Sequence, residues 1–241
     1  MNEPADRRYE SGAYWTDHPE WLAEASTLKV QDMLPSFRAA LEARGGDSFV
    51  IADVGTGTGA SIQTIARELT KLYPKTQVRV VGYEIAPNAI AVGRERFPEM
   101  EFRQKHFDGT DGTFDAVSFL DVLEHVEDPY GLMRSAAKAA PFMVVRQPLL
   151  EGFSSFRHNA YINHINGEGH IAFFNCRSFV AMANFSGWLP LHTELLAPWQ
   201  QAGTNGGRGF FKPLLHKLNP ELASVIISGY YLNGAFCRKA T

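Results

Sequence analysis

Cysteine is scarce in this chain: among 241 residues only Cys176 and Cys237 occur. Two thiols cannot build a disulfide framework, so a reducing compartment is the expected setting. An excess of one charge is also lacking. The 23 basic and 26 acidic residues leave a formal net charge of −3, which argues against a broad nucleic-acid-binding face. No uncharged run approaches the ~20 apolar residues that a membrane-spanning helix needs. The first residues, MNEPADRRYE, are polar and do not read as a secretory signal. Neither a G-x-S-x-G elbow nor a Cys–His nucleophile signature is present, so no acyl-enzyme machinery is visible. These absences predict a soluble, cytoplasmic protein without nucleic-acid or membrane partners.

What is present is ordinary globular usage, 45% hydrophobic and 20% charged residues. Disordered, collagenous and coiled-coil chains are excluded by that balance. Aromatics gather early, at Tyr9, Tyr14, Trp15, Trp21 and Phe37. From Pro19 to Arg44 the pattern is helical: Val30, Leu34, Phe37 and Leu41 share one face. Pro35 predicts a break or kink there. From Phe49 short apolar runs alternate with helical stretches. Strands are predicted at 49–54, 77–83, 101–107, 115–120 and 142–146, and helices at 61–72, 87–97 and 129–140. That alternation implies a mostly parallel sheet covered on both faces. Residues 148–175 carry aromatics, glycines and three histidines without a clear period. A helix is expected at 177–185, capped near Asn175, then a strand at 191–195, a glycine-rich loop at 202–209, a short helix at 211–218 and a closing strand at 230–238.

The most informative segment is Ile51-Ala-Asp-Val-Gly-Thr-Gly-Thr-Gly59. It follows an apolar strand and precedes an amphipathic helix. Glycines at such a turn let the backbone approach a ligand closely, and the helix N-terminus offers unpaired N–H groups. Gly55, Gly57 and Ala60 also satisfy the dinucleotide pattern G-x-G-x-x-G/A. Three features point away from a nicotinamide cofactor: Asp53 stands two residues before the first glycine, a third glycine stands at Gly59, and a helical region precedes the first strand.

Asp53–Gly59 reads D-x-G-x-G-x-G, and Phe114–Pro129 reads FDAVSFLDVLEHVEDP. With these two segments the chain resembles the class I S-adenosylmethionine (SAM)-dependent methyltransferases of the small-molecule type, ubiquinone-pathway O-methyltransferases among them. The resemblance implies a Rossmann-like α/β fold whose seven-stranded sheet is mostly parallel, with an antiparallel last strand at Tyr230–Arg238. It implies SAM as cofactor, bound by Asp53, Gly55, Thr56, Gly57, Gly59, Glu84, Ile85, Asp108, Gly109 and Leu120. Glu84 would accept the two ribose hydroxyls, as a carboxylate can. Asp108 would accept the adenine amino group. It also divides one methyltransferase domain into an N-terminal helical cap (1–46), a cofactor-binding half (47–147) and an acceptor-side half with a lid insertion (148–241).

Methyl transfer from a sulfonium needs positioning, exclusion of water and, for some acceptors, a base. His125 and His170 are the candidate catalytic residues, with His158 and His164 as further imidazoles. The reading assigns no metal. Asp121, Glu124, His125 and His170 nevertheless resemble the E-x-x-E-H and G-x-H segments of ubiquinone-pathway enzymes, and two carboxylates with two imidazoles could hold a divalent cation. Tyr9, Tyr14 and Trp15 would form a lid. Phe153, Phe156, Tyr161, Phe173 and Phe174 would line an acceptor pocket, and Arg208 in the glycine-rich loop would meet an anionic group. The expected partner is a small-molecule acceptor methylated on oxygen, with nitrogen or carbon as alternatives. A nicotinamide-dependent oxidoreductase and a non-catalytic binding module are the rivals, and a homodimer is left open.

Overall fold

A computed structural model describes residues 27–197 and 211–240. The predicted aromatic lid at Tyr9, Tyr14 and Trp15, and the 202–209 loop with Arg208, lie outside the described residues. The described residues begin with helix α1 (Thr27–Arg44), which buries Val30, Met33, Phe37 and Leu41. Pro35 sits inside α1 and does not end it, so of the two expected outcomes the break does not occur. The reason is its place on the helix. Pro35 and Gln31 are both exposed, so the Gln31 carbonyl that Pro35 leaves unpaired faces water, while the buried stripe continues on the other side.

The alternating pattern then unfolds as β1 (Ser48–Val54), α2 (Ala60–Leu72), β2 (Gln77–Glu84), α3 (Pro87–Arg96), β3 (Glu101–Gln104), β4 (Ala116–Leu120), α4 (Pro129–Ala139) and β5 (Phe142–Leu149). The chain continues with α5 (Phe153–Arg157), α6 (Ala160–Gly167), α7 (Cys176–Phe185), β6 (Trp188–Leu196), α8 (Phe211–Leu218), α9 (Pro220–Ile227) and β7 (Tyr230–Arg238). The seven strands form one sheet in the order β3-β2-β1-β4-β5-β7-β6. β7 runs antiparallel to both its neighbours, and the other pairs are parallel. The expected fold class is therefore the observed one.

Side chains alternate across β1: Phe49 and Ile51 pack with Phe37, Ile62 and Ile65, whereas Ala52 and Val54 face the core that holds Phe119, Met133, Val145, Phe179 and Trp188. Trp188 is fully buried, and its indole N–H donates to the Met133 carbonyl, tying β6 to α4 at 3.0 Å. No helix among the described residues is long and apolar enough to cross a membrane.

Some boundaries differ from expectation. β3 stops at Gln104 rather than 107, and β6 runs Trp188–Leu196 rather than 191–195. Two short helices, α5 and α6, occupy the aperiodic stretch, and α9 was not anticipated at all. α9 carries ordinary start signals: the Asn219 side chain accepts the Leu222 N–H, and Pro220 takes the first turn. The cap at Asn175 is as expected, a reciprocal box with Ser178.

Phe37 is fully buried between α1 and the sheet. Phe37→Ala is expected to destabilise the chain by about 3–5 kcal/mol. Urea unfolding followed by circular dichroism checks this. A loss below about 1 kcal/mol would mean that α1 is not part of the cooperative core.

Candidate active site

From β1 the chain steps outward to β2 and β3, then returns to place β4 on the other side of β1. Strand order reverses there, and open α/β sheets bind ligands in the crevice beyond such a switch point. Two loops meet above it: the glycine turn after β1 and the Asp121–His125 turn after β4. They touch. A Cβ built on Gly55 would lie 2.8 Å from Val122 Cγ2, and Gly55 has a φ of 67°. Only glycine meets both demands cheaply.

The glycine turn is also hooked onto β2. The N–H groups of Gly55 and Thr56 both donate to the Tyr83 carbonyl, at 2.8 and 3.0 Å. Gly57 then gives its N–H to Glu84 Oε2 at 2.8 Å. Glu84 Oε1 accepts from Ile85 and Ala86, at 2.8 and 2.9 Å. This carboxylate is buried, which raises its pKa, while the three backbone bonds oppose the rise. Two oxygens offer about four lone-pair sites, so three bonds leave one. Accepting two ribose hydroxyls, as the resemblance implies, requires one backbone bond to open. Gly59 caps α2 without any side-chain bond, with a φ of 78°, and its absent Cβ would lie 2.8 Å from Met100 Sδ. Gly59 is thus needed for packing.

The other expected cofactor residues divide in the same way. Asp53 is buried and accepts the Ser118 hydroxyl at 2.6 Å. Burial pushes its carboxyl up to about 6, against that hydrogen bond. Thr56 and Ile85 are half-buried beside the turn. Leu120 is buried in the α1-side core. Asp108 is exposed, and its Oδ1 accepts both the N–H and the hydroxyl of Thr110, at 2.9 and 2.7 Å. Those bonds hold its pKa below the usual carboxylate range. A Cβ on Gly109 would lie 2.2 Å from the Ser135 carbonyl oxygen, so this glycine serves the approach of its loop to α4.

Beyond β4 the acids take opposite roles. Asp121 has a φ of 61°, a left-handed conformation that aspartate tolerates better than most residues. Its Oδ2 lies 2.7 Å from Arg146 and 2.7 Å from Lys29. Burial alone would raise it, yet these two cations hold it down at about 2. Arg146 in turn lies 3.6 Å from the Tyr231 ring centroid. Glu124 is buried without a cation of its own. Its Oε2 accepts from Gln147 at 3.3 Å, and its Oε1 has no hydrogen-bond partner. Burial, then the charge of Asp121, raises Glu124 well above the usual range.

The histidines converge here. His125 Nδ1 lies 3.2 Å from the Gly169 carbonyl, and its Nε2 lies 3.9 Å from Glu124 Oε1. Its ring meets His170 edge-on at 4.7 Å, and His170 stacks on His164 at 5.7 Å. Burial and the neighbouring His170 push His125 down to about 4. The 169–172 segment is held in place because Ile171 and Ala172 donate to the Glu124 carbonyl, at 2.8 and 3.0 Å. Glu124, His125 and His170 bring one ligand atom each within 4.8 Å of one another, as do His164, Glu168 and His170. Asp121 is not among them; its carboxylate is turned to Lys29 and Arg146. His158 stands apart, exposed at the end of α5.

The expected aromatic wall does not form as read. Phe174 is core, packed on Phe179, and Tyr161 pairs with Phe173. Phe153 and Phe156 point to solvent. Conversely, Arg146, Lys29, Gln147 and Tyr231 were not singled out as site residues. A charged residue inside the apolar run Phe142–Leu149 was the one available signal, for Arg146.

Comparison with known proteins bears on the family and the fold. The sequence profile of a family described as "Methyltransferase domain" matches residues 27–192. A demethylmenaquinone methyltransferase from Tropheryma whipplei is 32% identical over 93 residues, which is 36% of this chain and 36% of that protein. Among solved structures, a geranyl diphosphate methyltransferase in complex with SAM superposes with a TM-score of 0.61 at 14% identity, covering 87% of this chain and 84% of that one. A magnesium protoporphyrin IX methyltransferase from Synechocystis PCC 6803 with bound SAM gives 0.58 at 12% identity, covering 99% of both chains.

Asp53 offers a test of the site's internal electrostatics. Its carboxyl is raised from 3.8 to about 6, so the folded chain holds this proton more tightly than the unfolded one. Its contribution to stability is therefore greatest below pH 3.8 and is lost as pH rises through 6. Asp53→Asn can still accept the Ser118 hydroxyl without a charge. It is expected to be more stable than the parent at pH 7.5 by up to about 2–3 kcal/mol, with the advantage shrinking towards pH 4. Urea midpoints at both pH values check this. An advantage that does not change with pH would contradict the assignment.

Proposed function

The chain belongs to the methyltransferase-domain family, and from that premise we propose that it transfers the methyl group of SAM to a small molecule, with oxygen as the accepting atom. The observation that carries the reading is the junction at the switch point. There the glycine turn, the Glu84 carboxylate and the Asp121–His125 turn meet around one crevice. The named substrates of the similar proteins, demethylmenaquinone, geranyl diphosphate and magnesium protoporphyrin IX, support a small-molecule acceptor without selecting one.

Bound SAM supplies a methyl group already activated on a sulfonium. The chain's own groups hold it and manage a proton. The uncapped start of α2 presents backbone N–H groups, while Asp53 and Glu84 present buried carboxylates. Glu84 would accept a ribose hydroxyl, and Asp108 would face the adenine side. For the acceptor hydroxyl, His125 is the base. Its Nδ1–H donates to the Gly169 carbonyl, which leaves the lone pair on Nε2. Pushed down to about 4, the imidazole is neutral at pH 7, as a base must be before it acts, but the same shift makes it a weak one. His170, edge-on to it, supplies a second imidazole for passing that proton outward.

A second reading rests on the Glu124 oxygen that has no hydrogen-bond partner. Glu124, His125 and His170 offer a carboxylate and two imidazoles, a donor set that suits a divalent cation. Such an ion would lower the pKa of an acceptor hydroxyl. Activity abolished by a chelator and restored by added cation would favour this reading over the histidine base alone.

Calorimetric titration is expected to show micromolar binding of SAM and S-adenosylhomocysteine and none of NADH. Glu84→Ala should weaken SAM binding by about 1–3 kcal/mol, and Gly57→Arg should abolish it. Unchanged affinity in both folded variants, or NADH binding in place of SAM, would sink the assignment. With an acceptor in hand, His125→Ala or His170→Ala should lower turnover by about 10²–10⁴-fold while leaving SAM affinity intact. Full activity in both would remove the histidines from the mechanism.

A further inference from the structure

Solvent-exposed apolar side chains crowd one part of the described chain. Phe156 is 75% exposed and Leu218 is 74% exposed; Phe153, Ile162, Ile165 and Leu222 also reach solvent. All six lie on α5, α6, α8 and α9. These helices are continuous in space: α5 packs on α6 and on α9, and α9 packs on α8. They are already anchored by other residues, since Leu215 of α8 packs on the core and Ala223 of α9 is fully buried. The exposed groups are therefore surplus to the core. Large apolar side chains grouped in this way mark a surface that meets something else.

Charge narrows the choice of partner. The same helices carry Arg157, Lys212 and Lys217, all exposed and without an acidic partner among the described residues. The nearby acids are engaged: Glu168 lies 2.9 Å from His164, and Glu221 is paired with Arg177. The face thus combines apolar anchors with free cations. A second copy seated on it would set like charges against one another. An anionic bilayer satisfies both features, because the side chains enter the headgroup boundary while the cations meet lipid phosphates.

We propose that α5, α6, α8 and α9 form a docking face for the surface of an anionic lipid bilayer. The protein would lie on the membrane and not cross it. α6 also carries His164, which stacks on His170, so the face adjoins the candidate base cluster. Docking would bring the acceptor side against the bilayer, where an apolar acceptor concentrates. This last point rests on the methyltransferase reading, whereas docking itself does not.

The test is flotation of the full chain with vesicles of phosphatidylcholine alone, and of phosphatidylcholine with about one quarter phosphatidylglycerol. The chain should float with the anionic vesicles, bind the neutral ones at least about tenfold less, and be released by about 0.5 M salt, which screens surface charge. The double variant Phe156→Glu/Leu218→Glu, altered only at exposed positions, should lose at least about tenfold in vesicle binding. It should keep the parent's circular dichroism and SAM affinity. Arg157→Glu/Lys217→Glu should show a similar loss. Failure of the parent to float, or undiminished flotation of both variants, would overturn the proposal. So would a concentration-dependent dimer, seen by sedimentation, that Phe156→Glu dissociates. SAM titration without lipid reports separately on the methyltransferase reading.

Discussion

The candidate site depends on a close approach of the Gly55 backbone to the Val122 side chain above the switch point. Gly55 has no Cβ, and Val122 fills the space that a Cβ would need. This contact brings the turn after β1 against the turn after β4, although more than sixty residues separate them. The glycine turn is itself held to β2 by the Gly57–Glu84 bond, and its contact with Val122 brings Glu124 and His125 to the same end of the sheet. A larger residue at Gly55 would push these groups apart without removing any of them.

Four acids end up near one end of a parallel sheet, and the protein treats them unequally. Asp121 receives both nearby cations and stays ionised. Asp53, Glu84 and Glu124 are buried without comparable compensation, and burial raises all three. Such groups oppose folding at neutral pH, where an amide or an apolar side chain would cost less. Under the proposed function, these carboxylates serve the ligand at that cost to stability. The cations on Asp121 also join distant pieces of the chain, since Lys29 comes from α1 and Arg146 from β5. The N-terminal helix is thereby fastened to the turn that carries the candidate base.

The acceptor half follows a different logic. Its loops and short helices are not required to close the sheet, and they carry both the histidine cluster and the exposed apolar side chains. His164 belongs to one of these helices and reaches the site through His170. The exposed apolar side chains of α5 and α6 thus neighbour His164 and His170 in the segment between β5 and α7, where side chains can change without disturbing the parallel core.

Much of this was legible in the linear chain. Alternation of apolar runs with amphipathic stretches determined the parallel sheet, because each period suits only one kind of element. The spacing of Gly55, Gly57 and Gly59 and the acid ending β2 located the crevice, since these features are local to single turns. Arg146 and Lys29 escaped notice as site residues because their meaning lies in a partner far along the sequence. Asp121 resembled a ligand beside Glu124, but the cations that claim it are brought in by α1 and β5. Phe153 and Phe156 resembled pocket lining, because aromatic composition does not say which way a short helix turns. The sequence by itself determined the order of elements and the backbone turns, which follow from local sterics and periodicity. Only the tertiary structure decided which acid is neutralised, which histidines meet and which aromatics face water, because charge compensation and burial are properties of neighbours in space.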